Sequence, residues 1–250
     1  MTKTDHRGEI ERALAAANLR PAKRKKRRQR SYKYIPALVS YFDILGMKEL
    51  LRKADKDANK VASVLNLFRE FSRPDKPSRE IWKWKFINFS DLVVRVLPIN
   101  TEANMKYRLG LVFHEIFDLC HLQVNLIDRG VLVRGALTLG FITVDGGLIF
   151  GPSLARAYEI ESRVARYPRI AVDSLVLKGL QDIPALRAHH YDEEMKYLQG
   201  TLRKDRDGVL FLDYLNWTMD NADDTFQHLK FIQTHRKFVL DHWMTYQVSI

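Results

Sequence analysis

Two aspartates in this chain lie within apolar segments that have the composition of β-strands. Asp43 follows Val39-Ser40-Tyr41-Phe42, and Asp91 lies between Phe89-Ser90 and Leu92-Val93-Val94. A carboxylate among β-branched and aromatic residues is costly to bury unless a cation or hydrogen bonds compensate its charge. Two such carboxylates side by side would suit Mg²⁺, which usually takes one or two protein carboxylates and completes its shell with water and phosphates. The alternative is a strand-end turn cap and an exposed hairpin residue that share no ligand.

The residues after Asp43 add a candidate anion-binding element. Ile44, Leu45 and Gly46 lead the predicted strand into a helix. The first backbone N–H groups of a helix have no partner within it and can meet an anion. We therefore expect Asp43 to lie beside a phosphate-binding turn, a favourable place for a cation that bridges the carboxylate and a phosphate.

The apolar periodicity predicts the elements that must position these residues. In chain order, the predicted elements are strand 35–44, helix 47–71, strands 81–89 and 91–97, helix 101–127, a hairpin over 131–150, helix 152–165, strand 169–173, helix 174–180, strand 209–214 and a C-terminal helix over 223–246. Asp91 then lies either at a tight bend or within one long strand. The predicted fold class is α/β, with a mixed or antiparallel sheet flanked by helices.

The charge is concentrated near the beginning of the chain. The net charge is +11, but Arg20 to Arg30 supplies eight Lys or Arg residues and no acid, and without them it would be +3. Because dense like charge cannot build a core, we expect a flexible basic arm over 1–33 and one folded domain over 34–250. The single Cys120 excludes an internal disulfide, and the most apolar stretch, 130–151, is broken by charges and glycines. We expect a cytoplasmic protein without a secretory leader or membrane span.

Read in order, several segments resemble the motifs of class III nucleotidyl cyclases, over roughly residues 34–215. The matching segments are Phe42-Asp43-Ile44-Leu45-Gly46-Met47, Phe89-Ser90-Asp91, Val133-Arg134-Gly135-Ala136-Leu137-Thr138-Leu139-Gly140, Gly151-Pro152-Ser153-Leu154-Ala155-Arg156-Ala157-Tyr158-Glu159-Ile160-Glu161-Ser162 and Pro168-Arg169-Ile170-Ala171-Val172. Phe150-Gly151-Pro152 together with Tyr167-Pro168-Arg169-Ile170 is most similar to the bacterial antiphage pyrimidine cyclases of Pycsar systems.

This resemblance implies a ferredoxin-like cyclase domain that binds two Mg²⁺ or Mn²⁺ ions, ~3.5–4 Å apart, at Asp43, Ile44 and Asp91. It implies that UTP or CTP is converted to the 3′,5′-cyclic monophosphate and pyrophosphate. The partners it implies are the nucleoside triphosphate, a second copy of the chain that completes composite active sites, and a separate effector that responds to the cyclic nucleotide. On the same basis, Ile44, Leu45, Gly46, Ile87, Leu148 and Lys204 would bind substrate.

The chain also departs from the family pattern. The catalytic asparagine of the family falls on Ala155 and its transition-state arginine on Glu159, so another cation must act near the reacting phosphorus. The candidates are Arg134, Arg156 and the pair Lys204 and Arg206, which the sequence does not rank. The positions that select a purine base fall on the apolar Ile87 and Leu148, which disfavours ATP and GTP.

A second hypothesis remains open because of Ala155 and Glu159. The chain would then be a catalytically silent module with the cyclase fold that senses a nucleotide or binds nucleic acid through its basic arm. Each phosphate neutralised by the arm would add roughly −0.9 to the slope of log affinity against log salt. No interleaved aromatic residues or recognition helix accompany the arm, so only nonspecific contact is expected.

Overall fold

The computed structural model of this chain describes residues 31–54, 57–72, 81–165, 167–221 and 224–247. The chain divides into two units, of which the second is Lys33–Ile250. The elements given below belong to the second unit. The predicted basic arm, apart from its last residues, lies outside the described residues.

The bounds of the elements define the scaffold. The strands are β1 (Ile35–Leu45), β2 (Lys85–Phe89), β3 (Leu92–Pro98), β4 (Leu132–Asp145), β5 (Leu148–Phe150), β6 (Ile170–Val172), β7 (Leu202–Lys204) and β8 (Leu210–Leu212). The helices are α1 (Met47–Ala54), α2 (Ala58–Ser72), α3 (Glu102–Tyr107), α4 (Leu111–Ile127), α5 (Pro152–Glu159), α6 (Ser174–Asp182), α7 (Tyr191–Thr201), α8 (Tyr214–Asn221) and α9 (Thr225–Gln247). A π-helical turn (Ile160–Val164) continues α5, and a 3₁₀ turn (Pro184–Leu186) follows α6.

The strands form one mixed sheet in the order β2-β3-β1-β4-β6-β8-β7, and β5 pairs with the end of β4. The β4–β6 pair is parallel, whereas β1 is antiparallel to both β3 and β4. The predicted class, a mixed sheet flanked by helices, is confirmed.

Alternation along β1 sends its side chains to two different cores. Leu38 and Phe42 lie in the larger core, which includes α4, while Val39 lies in a smaller core with Ala157 of α5. Because side chains alternate with a period of two, Asp43 shares a face with Val39 and Tyr41, on the side of the smaller core. The sheet therefore directs Asp43 toward the segment that contains α5.

Two long helices predicted from periodicity are each divided in the structure, so those two predictions are wrong. The stretch 47–71 forms α1 and α2, and α2 has its own cap, since the Asp57 carboxylate accepts from the Asn59 N–H at 3.1 Å. The stretch 101–127 forms α3 and α4, which are separated where Arg108 and Gly110 adopt φ values of +46° and +69°. Left-handed residues end a helix even when the apolar spacing continues.

Other boundaries also differ from the prediction. The strand expected over 81–89 begins only at Lys85, after Lys83 with φ of +55°. The helix expected over 152–165 changes to π geometry at Ile160. Helix α7 and strand β7 were not predicted, because the polar segment 191–204 has weak apolar periodicity.

Candidate active site

The sheet places Asp43 and Asp91 in neighbouring positions. Asp43 lies opposite Leu92 of β3 on one side and opposite Arg134 of β4 on the other. Asp91 lies in the turn between β2 and β3, and its carbonyl accepts the Ile44 N–H at 3.3 Å. The two candidate carboxylates therefore come from β1 and from the turn residue that directly precedes Leu92, the register partner of Asp43.

The β2–β3 turn resolves the alternative for Asp91 in favour of a tight bend. Ser90 adopts φ of +57°, a left-handed conformation that glycine accepts more readily than serine. Such a conformation costs of order 1 kcal/mol or more in a non-glycine residue, and it occurs often at functional sites. The bend ends β2 at Phe89 and starts β3 at Leu92, so Asp91 lies outside the hydrogen-bonded pairing of the two strands.

Arg134 is held between two carboxylates. Its Nη2 lies 3.5 Å from Oδ2 of Asp43, and its Nε lies 2.5 Å from Oε1 of Glu161. Neither Arg134 Nε nor Glu161 Oε1 has a hydrogen-bond partner with acceptable angles. The short contact is therefore an ion pair in which the N–H does not point at the oxygen.

Glu161 is a member of this cluster that the sequence analysis did not single out. It lies in the π-helical turn after α5, in which the Ala165 N–H bonds to the Ile160 carbonyl, five residues earlier. Its side chain is only 5% exposed. The signal was present in the motif Tyr158-Glu159-Ile160-Glu161, but helical spacing alone does not reveal a π turn. π turns are rare and occur frequently at functional sites.

Burial dominates the electrostatics of the cluster. The pKa of Asp43 is raised because burial disfavours its charged form more than Arg134 favours it, and the charge of Asp91 raises it further. The pKa of Glu161 is raised by burial first and then by the Asp43 carboxylate, while Arg134 lowers it. The cluster therefore holds more negative charge than Arg134 compensates.

Asp43 has the properties expected of a cation ligand. Its Oδ1 is buried and has no hydrogen-bond partner, and a buried carboxylate oxygen without a partner is costly. A divalent cation shared by Asp43 and Asp91 would supply the missing partner. Among the described residues, no group of three or more His, Cys, Asp or Glu residues forms a metal centre. Two carboxylates are nevertheless sufficient for Mg²⁺ when substrate phosphates and water provide its other oxygen ligands.

Tyr41 and Tyr158 form an aromatic pair beside the carboxylates. Their ring centroids lie 5.9 Å apart in an edge-to-face arrangement. Burial, followed by the charges of Glu161 and Asp43, raises the pKa of Tyr41 to about 12. Its hydroxyl therefore stays protonated near neutral pH. Tyr158 is exposed on α5 and leaves the pair open to solvent.

Arg156 does not join this cluster within one chain. Its Nε and Nη2 donate to the buried carboxylate of Asp173, which also accepts from the hydroxyl of Thr138 at 2.6 Å. Burial would raise the pKa of Asp173, but the hydrogen bonds from Arg156 and Thr138 outweigh burial and lower it. Arg156 is therefore anchored, through Asp173, close to Thr138. Since Thr138 lies four residues beyond Arg134 on β4, the anchoring points of the two arginines are roughly 13 Å apart along the strand.

Lys204 and Arg206 also lie away from Asp43 in the same chain. Lys204 ends β7, which is separated from β1 in the sheet by β4, β6 and β8. Adjacent strands lie ~4.8 Å apart, so Lys204 is roughly 19 Å from β1.

The loop after Lys204 is fixed by the buried Arg169. The guanidinium of Arg169 lies 2.6 Å from the carboxylate of Asp205 and 2.5 Å from that of Asp207. This loop is therefore held against the start of β6, and not against the Asp43 cluster.

The remaining predicted substrate residues occupy three separate places. Ile44, Leu45 and Gly46 connect Asp43 to α1, where Gly46 has φ of +79° and its carbonyl accepts the Leu50 N–H at 2.9 Å. Ile87 of β2 pairs with Val94, which pairs with Tyr41 on its other side, so Ile87 lies on the same face of the sheet as Tyr41 and Asp43. Leu148 begins β5 at the opposite end of β4 from Arg134 and is exposed.

Comparison with solved structures finds cyclase domains at low sequence identity. The guanylyl cyclase domain of the RhoGC fusion protein from the aquatic fungus Blastocladiella emersonii is 12% identical, with 74% of this chain and 98% of that chain covered and a TM-score of 0.44. The adenylyl cyclase CyaB from P. aeruginosa is 15% identical, with 73% and 95% covered and a TM-score of 0.45. A similarity of this extent does not establish a shared activity. No family model and no curated protein match the chain.

None of the described helices combines the length and the apolar character needed to cross a bilayer.

Proposed function

We propose that this chain is a nucleotidyl cyclase that converts a pyrimidine nucleoside triphosphate, UTP or CTP, to its 3′,5′-cyclic monophosphate and pyrophosphate. One observation carries the proposal. Asp91 directly precedes Leu92, the register partner of Asp43; Asp43 has a buried oxygen without a hydrogen-bond partner, and the turn into α1 follows at once. This combination suits a cation-bound triphosphate.

The reaction joins the ribose 3′-oxygen to the α-phosphorus and breaks the bond from that phosphorus to the oxygen that leaves with pyrophosphate. Two bound Mg²⁺ or Mn²⁺ ions would lower the pKa of the 3′-hydroxyl and neutralise charge on the phosphates. Asp43 and Asp91 would hold these ions, together with the backbone at Ile44. Arg134, partly exposed beside Asp43, has a planar fork that matches phosphate oxygens and would stabilise charge that develops there.

The choice of a pyrimidine rests on the apolar character of Ile87 and Leu148, which fall at the positions where the resembled family selects a purine; Leu148, at the far end of β4, would take part only across a dimer. Neither Ile87 nor Leu148 has a side-chain donor or acceptor that could pair with the edge of a purine. A site without those groups gives adenine and guanine no compensation for the loss of their hydrogen bonds to water. The same residues do not distinguish UTP from CTP.

A homodimer with composite sites is part of the proposal. In one chain, Arg156 and Lys204 are too far from Asp43 to act on a substrate bound there, while both remain accessible to solvent to a large extent. A second copy that docked with its Arg156 near the first copy's Asp43 would supply a further cation in addition to Arg134. The cyclic nucleotide would then act in the cytoplasm, as an antiphage alarm signal for a separate effector.

The test is a product assay with matched variants. Purified protein is incubated with each of the four nucleoside triphosphates and Mn²⁺, and the products are identified by mass spectrometry. We expect cyclic UMP or cyclic CMP from the wild type, loss of product in Asp91→Asn, and no change in Asp128→Asn, an exposed aspartate after α4. If no triphosphate yields a cyclic product while a control cyclase is active, the proposal is refuted.

A second candidate is a catalytically silent nucleotide sensor or nucleic-acid-binding module. It is favoured by one observation: Glu159, at the position of the expected transition-state arginine, pairs with Arg163 on the surface at 3.1 Å and not with the cluster. This candidate predicts that Asp91→Ala retains biological activity and that deletion of residues 20–30 abolishes it. The reverse pair of results would exclude it.

A further inference from the structure

Glu161 and Asp43 share the guanidinium of Arg134 unequally. The contact of Arg134 with Glu161 is 2.5 Å, whereas its contact with Asp43 is 3.5 Å. The side chain of Glu161 is 5% exposed and that of Asp43 is 24% exposed, so water screens the attraction of Glu161 for Arg134 less. Both effects draw the guanidinium toward the π-helical turn and away from Asp43.

This unequal division leaves Asp43 with one satisfied oxygen and one unsatisfied oxygen. Oδ2 faces Arg134, while Oδ1 is buried and has no hydrogen-bond partner. An arginine that served Asp43 alone would be expected to bind both oxygens in the bidentate geometry common to arginine–carboxylate pairs. The position of Arg134 therefore decides whether Asp43 has an oxygen available for another cation.

We propose that Glu161 is a positioning residue that holds Arg134 away from Oδ1 of Asp43 and so keeps this oxygen available to a divalent cation. The inference rests on the proposed function, because it takes Asp43 to be a cation ligand. In this role Glu161 does not itself bind the cation. It controls the position of Arg134, whose guanidinium competes with the cation for the carboxylate of Asp43.

The surroundings are consistent with this role. Asp91 adds a further negative charge that acts on Asp43. With Arg134 engaged by Glu161, Asp43 and Asp91 together retain the charge that a divalent cation needs.

A purely structural role for Glu161 makes a different prediction. A Glu161–Arg134 pair that only fastened the π turn to β4 would affect stability, and its loss would leave the cation affinity of a folded variant unchanged. If Glu161 acted only as a distant negative charge, its removal would weaken cation binding equally whether or not Arg134 was present. The three roles are therefore separable by a double-mutant cycle.

The experiment is a titration of the full chain with Mn²⁺ in the absence of nucleotide, with free Mn²⁺ followed by electron paramagnetic resonance. The variants are Glu161→Gln, Arg134→Gln, the double variant, Asp43→Asn and Asp91→Asn. The matched control is Glu159→Gln, which removes an exposed carboxylate from the same helical segment. Thermal unfolding of each variant checks that it is folded.

We expect Glu161→Gln to weaken Mn²⁺ binding about 10-fold, the loss commonly seen when a residue that supports a metal ligand is changed. In the Arg134→Gln background, the same change is expected to weaken binding by less than about 3-fold, because the competitor is already absent. Glu159→Gln is expected to bind Mn²⁺ as the wild type does. If Glu161→Gln does not fold, Glu161→Asp replaces it, with an expected loss of about 3-fold.

Two results would overturn the inference and leave the proposed function standing. One is a Glu161→Gln or Glu161→Asp variant with wild-type Mn²⁺ affinity. The other is an equal loss of Mn²⁺ affinity when Glu161 is changed in the wild type and in Arg134→Gln. In each case Asp43→Asn must abolish Mn²⁺ binding. If Asp43→Asn and Asp91→Asn both bind Mn²⁺ like the wild type, the cation site of the proposed function is itself absent.

Discussion

Substitution of Gly135 by alanine tests the close contact that sets Arg134 opposite Asp43. Gly135 of β4 faces Phe42 of β1 in the ladder. A Cβ at Gly135 would lie 2.5 Å from the Cβ of Phe42 and 2.6 Å from the carbonyl oxygen of Tyr41. Carbon atoms in contact normally lie ~3.5–4.0 Å apart, so the two strands must separate locally by about 1 Å.

The expected cost follows from the nature of the atoms that must move. Forcing an extra carbon into a packed interior costs about 1–3 kcal/mol, and we expect the upper half of this range because one of the obstructing atoms is backbone. For a domain of this size, 1 kcal/mol lowers the melting temperature by roughly 2–4 °C, so a decrease of about 4–12 °C is expected. The register of Asp43 with Arg134, one residue away, should be disturbed at the same time, which predicts altered Mn²⁺ binding.

The measurement is thermal unfolding followed by circular dichroism, with Mn²⁺ titration of the folded protein. Gly200→Ala is the matched control, because Gly200 is an exposed residue of α7 with no atom within 4 Å of an added Cβ. Alanine in a helix is about 0.5–1 kcal/mol more favourable than glycine, so this variant should melt slightly higher. A Gly135→Ala variant that melts within 1 °C of the wild type would refute the β1–β4 contact described above.

Three further predictions concern the same face of the sheet and the buried core beneath it. Asp43→Asn should abolish the proposed cyclase activity yet stabilise the fold. The pKa of Asp43 in the folded protein is raised above its usual 3.8, so the free energy of unfolding of the wild type falls as pH rises through the raised pKa. The asparagine variant does not lose this stability. The difference in free energy of unfolding between variant and wild type, measured with urea, should therefore grow between pH 3 and 7. Ser90→Gly should raise the free energy of unfolding by about 1 kcal/mol, since φ is +57°, and a decrease would contradict the strain assigned there. Glu115→Ala should lower the free energy of unfolding by about 3 kcal/mol, because it removes one of the partners of the buried Arg95, 3.0 Å away; a loss below 1 kcal/mol would contradict this.

The sequence was sufficient to predict the strands on which the site is built. The strand over 35–44 and the hairpin over 131–150 correspond to β1 and to β4 with β5, because long apolar runs bounded by glycines leave little ambiguity. The helix breaks were missed for a specific reason. Between α3 and α4, Arg108 is not a residue type that marks a left-handed cap, and the apolar spacing continues past Gly110, so the periodicity did not signal the end of α3.

In the predicted site, features set by neighbouring motifs were predictable, whereas contacts between segments distant in sequence were not. The motifs that contain Asp43 and Asp91 carried enough information to place them as neighbours, since a hairpin and an adjacent strand bring their residues together. The partner of Arg156 was not predictable, because Asp173 is distant in sequence and its burial depends on the completed sheet. Glu161 was missed because its orientation depends on a π turn, which has no established sequence pattern.

The π turn also has a consequence for how this segment tolerates insertions and deletions. Each residue of an α-helix rotates the chain by about 100°, and a π turn accommodates one residue more than the α-helical path requires. Deletion of one residue before Glu161 within this turn would restore an ordinary helix that packs normally, yet Glu161 would point away from Arg134. A change in length by a single residue would therefore preserve the fold while removing the carboxylate from the cluster. Among natural variants of this chain, the length of this turn should be maintained as strictly as Glu161 itself.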